Sequence, residues 1–338
     1  MSALRHSFRL CSRRAGILPA IPALLATLLA SAVAAQPFQL ALPLDCTPGQ
    51  SCFVQNYPDD DPGPGARDFS CGALTYDGHK GTDFALPSLA DMAAGVEVRA
   101  AAAGRVTGLR DGMIDRAWTS EEAARIDGRD CGNGVVIDHG DGWETQYCHM
   151  RQGSLRVAEG QQVQAGTPLG LVGLSGKSQF PHLHLSVRHN DAVIDPFAPE
   201  GTQAGCGTLG PMLWAAPLPY VASGFIAAGF TTRLPEYEEI QQGTAAQAAL
   251  PRDLPFLVLW AHAFGLRAGD EMELAITGPG GSFTRQKVSI DRTQARAFRA
   301  TGKRLQAPLA PGLYSGRATL IRDGAPVART TVTVMIRP

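Results

Sequence analysis

Apolar and polar residues alternate over short stretches through most of the chain, and glycine-rich turns separate these stretches. In the last third, Met272, Leu274 and Ile276 alternate with polar positions between them. A period of two is typical of β-strands with one buried face. In the central part of the chain the same signals predict strands over residues 96–100, 104–109, 134–139, 144–149, 162–164, 169–173 and 182–188.

Helical periodicity is nearly absent, so the pattern predicts a mainly β protein. The exception is residues 115–129, where Thr119-Ser120-Glu121-Glu122 is a capping signal in front of an alanine-rich segment. We interpret this stretch as a short helix within an insertion.

The composition changes around residues 211–219, which are rich in proline and alanine and are typical of a linker. Alternating strands continue beyond it, and Asp323-Gly324 is a hairpin-turn signal. The pattern predicts an immunoglobulin-like β-sandwich over residues 216–338. We interpret its single histidine, His262, as a packing residue beside Trp260.

Residues 1–35 have the organisation of a secretory signal peptide. Four arginines precede an apolar core over residues 17–29, and Ala32-Val33-Ala34-Ala35 supplies small residues for cleavage. No other apolar run approaches the length of a transmembrane helix, so we expect an exported protein without a permanent membrane span. Periplasmic localisation is expected, with secretion as the alternative.

The chain of 338 residues is long enough for two domains, and its 44% hydrophobic content is ordinary for a globular protein. The signal segment contains four of the 30 basic residues and none of the 31 acidic ones. The mature chain is therefore mildly acidic and lacks the excess of basic residues that is typical of proteins that bind nucleic acid.

Six cysteines follow the signal segment, which is an even number: Cys46, Cys52, Cys71, Cys131, Cys148 and Cys206. In an exported chain this predicts a disulfide framework rather than metal ligands or a nucleophile. A hairpin turning at residues 140–142 would bring Cys131 and Cys148 together, so we predict that pair. We interpret residues 36–74, which contain three of the cysteines, as a disulfide-stapled N-terminal wrap over the domain that follows.

The sequence Pro181-His182-Leu183-His184-Leu185 lies in one of the predicted strands. On a strand, residues two apart share a face, so His182 and His184 would lie opposite the apolar positions. Two imidazoles on one face are typical of metal coordination, although the motif alone has a high false-positive rate. The alternative is a pair of half-exposed histidines on a solvated face.

A second cluster upstream, Gly78-His79-Lys80-Gly81-Thr82-Asp83, strengthens the metal interpretation. Its glycines and β-branched Thr82 favour an extended segment that presents His79 and Asp83 on one face. Two imidazoles and one carboxylate are a catalytic zinc set, with a fourth position for water. The candidate ligands are His79, Asp83 and one member of the 182/184 pair, and His149 is a further candidate.

The order His-x-x-x-Asp, Tyr-x-His and His-Leu-His resembles the lysostaphin-like zinc endopeptidases, which cut peptide links in bacterial cell walls. The resemblance covers residues 75–196 and implies an open, mainly antiparallel β-sheet with the site in a groove on its face. Carried over by position, it implies that His79, Asp83 and His184 hold one Zn²⁺ per chain. It implies that His149 and His182 are the catalytic histidines, in a peptidase domain spanning residues 75–212.

Two positions depart from the family pattern. A glycine commonly precedes the Pro-His-Leu-His run, and Phe180 stands there in this chain. An acidic residue is common two positions after the run's second histidine, and Ser186 stands there. Neither belongs to the implied ligand set, and both bear on the shape of the substrate groove.

The resemblance implies an exported zinc metalloendopeptidase that acts on the stem peptides of peptidoglycan. Two alternatives stay open: a wall-binding or hydrolase-activating module without activity, and an exported metallopeptidase that acts on ordinary protein. Residues 216–338 would bind the wall, dock a regulatory protein or restrain the groove, and the sequence does not choose among these roles.

Overall fold

The computed structural model describes residue 7 and residues 37–122, 126–201 and 211–338. The predicted signal peptide, apart from Ser7, lies outside the described residues, and so does Cys206. Within the described ranges, no helix is both long enough and apolar enough to cross a membrane.

An eight-stranded antiparallel sheet forms the first half of the fold. Seven strands follow the order β1-β2-β9-β6-β5-β4-β7, and β10 pairs with β9. A separate antiparallel pair is formed by β3 and β8. The strands are β1 (Phe53–Asn56), β2 (Thr82–Ala85), β3 (Glu97–Arg99), β4 (Gly104–Arg110), β5 (Asn133–Gly140), β6 (Trp143–Met150), β7 (Gln162–Val163), β8 (Pro168–Leu171), β9 (His182–His189) and β10 (Ala192–Val193). Each strand predicted from the sequence in this region is confirmed.

Strand β9 shows how the sequence pattern positions the histidines. Leu183, Leu185 and Val187 are buried in the main hydrophobic core. His182 and His184 alternate with them and therefore face the opposite side of the sheet. A register shift by one residue would exchange the two faces, so burial of the three apolar side chains fixes where the histidines point.

The few described helices are short. Helix α1 (Leu89–Ala94) begins after Ser88, whose side chain accepts a hydrogen bond from the backbone N–H of Asp91. Helix α2 (Tyr237–Gln242) lies in the C-terminal half. In the stretch predicted to be helical, residues 115–129, the described part contains a 3-10 turn at Ser120–Glu122, and residues 123–125 lie outside the description.

Two further sheets form the C-terminal β-sandwich. One has the order β11-β13-β16, and the other has the order β12-β18-β17-β14-β15. A single hydrophobic cluster contains residues of both sheets, among them Leu259 and Leu274, so the sheets pack face to face. The strands are β11 (Gly224–Thr231), β12 (Ala249–Leu250), β13 (Phe256–Leu266), β14 (Glu271–Gly278), β15 (Gly281–Ser289), β16 (Gln294–Arg304), β17 (Gly312–Arg322) and β18 (Ala325–Ile336).

Disulfides tie two of the loop-rich regions. The predicted pair is confirmed: Cys131 and Cys148 are bonded, with their Cα atoms 4.7 Å apart. Cys46 is bonded to Cys52, and Cys71 is also disulfide-bonded.

The segment before β1 packs on the first sheet. Leu40 and Leu44 belong to the main core, and the backbone N–H of Leu40 donates to the carbonyl of Leu213. The domain boundaries at residues 36–74, 75–212 and 216–338 remain predictions.

Candidate active site

Three predicted ligands converge where β2 and β9 pair. Asp83 and His184 are direct cross-strand partners, and His79 precedes β2 by three residues. His184 Nδ1 lies 2.8 Å from Asp83 Oδ1, and His79 Nε2 lies 3.2 Å from the same oxygen and 3.2 Å from His184 Nδ1. Atoms bound at roughly 2.0–2.1 Å to a tetrahedral zinc ion are about 3.3 Å apart, so this spacing fits a single ion.

The hydrogen bonds of His79 show that the cluster is suited to a cation. His79 Nδ1 lies 2.7 Å from the carbonyl oxygen of Tyr57, which can only accept, so Nδ1 carries the proton. In the neutral imidazole, Nε2 then presents a lone pair toward the Asp83 carboxylate. Two electron-rich atoms facing each other are unfavourable unless a cation or a proton lies between them. A divalent metal satisfies this arrangement.

His184 has a matching partner at its other ring nitrogen. Its Nε2 lies 3.1 Å from Oγ of Ser186. If Nδ1 holds a metal, Nε2 carries the hydrogen and donates it to the serine hydroxyl. Such outer contacts fix the tautomer and orientation of a metal-binding imidazole. Ser186, which stands where the family pattern commonly has an acidic residue, supplies this outer contact to His184.

His149 lies at the end of β6 in left-handed backbone, with φ of 61°. Its backbone N–H donates to the carbonyl of Cys131 at 2.8 Å, next to the disulfide that joins Cys131 to Cys148. Its ring Nδ1 lies 2.8 Å from the carbonyl oxygen of Ser175 and donates to it. In the neutral ring, Nε2 is therefore the basic nitrogen.

His182 lies beside His149, with ring centroids 4.7 Å apart. Its Nδ1 is 2.9 Å from the carbonyl of Phe180 and 3.1 Å from Oγ of Ser178. Its Nε2 is 3.5 Å from Oδ1 of Asp83, so the ring lies at the edge of the ligand cluster. The structure thus brings all five predicted site residues together.

Burial and neighbouring charges determine the protonation states of His149 and His182. Burial, reinforced by His182 and His184, lowers the pKa of His149 well below its ordinary value. Burial also lowers the pKa of His182. Both imidazoles are therefore neutral at pH 7 and are able to accept a proton.

The predicted ligands Asp83 and His79 are affected in the opposite direction by their charged neighbours. Burial alone raises the pKa of Asp83, but His182 and His79 outweigh it and hold that pKa well below the ordinary value. Burial opposes protonation of His79, yet the Asp83 carboxylate raises the pKa of this imidazole. Asp83 is therefore ionised at neutral pH, as a metal ligand must be.

Sequence reasoning missed several contacts at the site. The carbonyl oxygens of Tyr57 and Ser175 orient His79 and His149. Every residue has a backbone carbonyl, so the residue types do not reveal which one binds a histidine. The ring of Tyr76 lies 4.5 Å from that of His79, and its side chain is largely exposed at the site. The sequence could have indicated this contact, because an aromatic residue stands three positions before the first predicted ligand.

Two imidazoles and one carboxylate on an open antiparallel sheet are typical of a catalytic metal centre. Comparison with known proteins shows which family these residues resemble. Residues 77–196 match Peptidase family M23. Over these residues the chain is similar to the lysostaphin-like peptidases, in agreement with the resemblance carried by its histidine and aspartate motifs.

Several known proteins are similar in sequence to part of this chain. The chain is 35% identical over 133 residues to the DD-carboxypeptidase/endopeptidase Mpg of Neisseria meningitidis serogroup B, covering 37% of this chain and 25% of that protein. It is 24% identical over 172 residues to the peptidoglycan DD-endopeptidase ShyB of Vibrio cholerae, covering 51% of this chain and 31% of that protein. The chain thus spans less than a third of either relative.

Among solved structures, a putative peptidase M23 from Pseudomonas aeruginosa is similar to this chain. The identity is 30%, and the similarity covers 47% of this chain and 48% of that one, with a TM-score of 0.28.

Proposed function

We propose that this chain is an exported zinc metalloendopeptidase that hydrolyses peptide cross-links of bacterial peptidoglycan. The observation that carries the proposal is the convergence of His79, Asp83 and His184 around one point, with His149 and His182 beside it. Relatives named as peptidoglycan endopeptidases support the substrate class.

In this proposal His79 Nε2, Asp83 Oδ1 and His184 Nδ1 hold one zinc ion. When bound, zinc supplies Lewis acidity, which polarises a scissile carbonyl and lowers the pKa of water. The carbonyl of Tyr57 and the hydroxyl of Ser186 hold the two imidazoles in the tautomers that leave these nitrogens free.

In this proposal His149 and His182 carry out the proton transfers of peptide hydrolysis. Each has its Nδ1 hydrogen-bonded to a backbone carbonyl, so in the neutral ring Nε2 is the nitrogen that accepts a proton. One imidazole takes the proton of the attacking water at its Nε2 and passes that same proton to the leaving amine, so that this ring ends neutral. The other, after taking a proton from solvent, donates a hydrogen bond to the developing oxyanion. A positioned group of this kind contributes roughly 10²–10⁴ in rate.

The complete set of five residues favours an enzyme over a module that only binds the wall or activates another hydrolase. Such a module has no need for a carboxylate with a lowered pKa between two imidazoles. Export is supported by the bonded cysteines of the described residues, since disulfides persist in oxidising compartments. Residues 216–338 remain a candidate surface for a regulatory protein partner.

The test is digestion of purified cell-wall sacculi by the zinc-loaded protein, with products identified by mass spectrometry. Asp83→Ala removes a ligand, and Asp253→Ala, at an exposed aspartate of the sandwich, is the matched control. Loss of cross-linked muropeptides with the wild type and Asp253→Ala, but not with Asp83→Ala, supports the proposal. Cleavage of a glycine-rich protein substrate without cleavage of sacculi would instead establish the protein-directed alternative.

A further inference from the structure

A cavity of about 310 Å³ lies between the peptidase domain and the β-sandwich. On the peptidase side it is bordered by Phe180 and Pro181, which directly precede His182. On the sandwich side it is bordered by His262 of β13 and Arg296 of β16. We call it the interdomain cavity.

Phe180 connects this cavity to the candidate active site. Its ring stacks on the ring of His182, with centroids 4.5 Å apart. The guanidinium Cζ of Arg296 lies 3.9 Å from the centroid of the same Phe180 ring. A phenylalanine at the position where related sequences commonly have glycine thus brings a charge from the sandwich close to a proposed catalytic histidine.

Arg296 has no anionic partner in the described part of the chain. No carboxylate there lies within ion-pair distance of its guanidinium, and burial lowers its pKa from the ordinary value. The guanidinium nevertheless stays charged, because arginine does not deprotonate in proteins. Glu238 borders the same cavity but is exposed. A partly desolvated cation without a partner favours an incoming anion.

The environment of Arg296 suits one kind of anion. A guanidinium packed on an aromatic face keeps N–H donors at its edge, and these match the two oxygens of a carboxylate. His262, on the opposite strand, adds an unsatisfied polar group, since its buried Nδ1 has no hydrogen-bond partner among the described atoms.

We propose that the interdomain cavity is a subsite for a free carboxylate of the substrate peptide and that Arg296 binds this carboxylate. The inference rests on the proposed function, because the stem peptides of peptidoglycan carry carboxylates that are not part of a peptide bond. The sandwich then contributes directly to substrate selection: a peptide chain at the metal centre would extend past Phe180 and place its carboxylate on the guanidinium.

The experiment uses two synthetic cross-linked stem peptides that are identical except that the free carboxylates of one are amidated in the other. Binding is measured by isothermal titration calorimetry on full-length zinc-loaded His149→Ala protein, so that cleavage does not interfere. We expect the acidic peptide to bind roughly 10- to 100-fold more tightly, the range for hydrogen bonds to charged groups. Adding Arg296→Gln should remove this preference.

A control variant and a stability measurement distinguish carboxylate binding by Arg296 from a purely structural role. Arg304→Gln changes an exposed arginine on the same strand, β16, and should keep the preference. If Arg296 only braced the two domains through Phe180, Arg296→Gln would weaken both peptides equally and lower the unfolding midpoint. That outcome overturns the proposal, as does equal affinity of the two peptides, or binding of neither, in the parent protein.

The design also distinguishes this inference from the proposed function. Cleavage of sacculi by the wild type without any carboxylate preference leaves the function intact and eliminates the subsite. Carboxylate preference that depends on Arg296, in a protein that cleaves no sacculi, leaves the subsite intact and eliminates the function.

Discussion

His184 Nε2 lies 3.1 Å from Oγ of Ser186, two residues further along β9. Both side chains point to the same face of the sheet, and Ser186 is almost completely buried. The hydroxyl is therefore positioned to accept the ring hydrogen that leaves His184 Nδ1 free for a metal.

Replacing Ser186 should weaken metal binding without removing it. We expect Ser186→Ala to lower zinc affinity by roughly 10-fold, at the lower end of the range for lost outer contacts, because the imidazole loses the partner that fixes its tautomer. Competition with a chelating dye measures this directly. Ser282→Ala, at an exposed serine of β15, is the matched control, and equal affinity of the two variants would contradict the assignment.

His149→Ala should retain zinc and lose most activity. The side chain is not one of the three proposed ligands, but its proposed role as a proton acceptor or donor is worth roughly 10²–10⁴ in rate. Metal analysis and muropeptide release, measured on the same preparation, check both halves. Normal turnover by this variant would show that His149 has no role in proton transfer.

The disulfide beside His149 should matter more than the one near the N-terminal segment. The Cys131–Cys148 bond closes a separation of 17 residues, and the Cys46–Cys52 bond closes one of 6. Loop-closure entropy gives losses of unfolding free energy of about 3 and about 2 kcal/mol, respectively, when each pair is replaced by serines.

Urea denaturation measures both losses of unfolding free energy. An activity assay then compares the two double variants under native conditions. We expect only the Cys131→Ser/Cys148→Ser variant to lose activity under native conditions, because its bond lies next to the backbone of His149. Equal activity losses in both double variants would mean that the effect is global.

His262 should make the fold sensitive to acid. Burial, together with the charge of Arg296, lowers the pKa of His262 from 6.5 to about 3, so the unfolded chain binds this proton before the folded one does. Stability contributed by the neutral ring is present above pH 6.5 and is lost as the pH falls toward 3. Between pH 7 and pH 5 the loss is about 2 kcal/mol.

The comparison of wild type with His262→Phe isolates this residue. The variant keeps a planar ring against Tyr237, with which His262 packs edge to face, and removes the titrating group. Urea denaturation at the two pH values should show a smaller acid loss in the variant by about 2 kcal/mol. Parallel losses in both proteins would mean that His262 is not protonated on unfolding.

The sequence predicted the strands and the faces of β9 well, because a two-residue period follows directly from strand geometry. It also proposed His79 and Asp83 as a pair, because residues four apart share a face. The choice of His184 over His182 came from family resemblance, since strand period alone places both on one side. Their actual environments differ: His184 Nδ1 lies within 2.8 Å of Asp83, whereas His182 Nε2 is 3.5 Å away.

Other features had no local signal in the sequence. The cross-strand pairing of Asp83 with His184 joins positions about a hundred residues apart along the chain, and no periodicity predicts such a partner. The contact of Arg296 with Phe180 depends on how the two parts of the chain pack together. The carbonyl of Ser175 is set by the conformation of a glycine-containing loop, which residue type alone does not determine.

The backbone of His149 has a consequence for the evolution of this chain. A non-glycine residue in left-handed conformation costs about 1 kcal/mol or more, and glycine at this position would relieve that cost. The sequence that folds most stably and the sequence that handles the proton therefore differ at position 149. A redesign guided by stability alone would favour glycine there, and it would yield a more stable protein without the proposed chemistry.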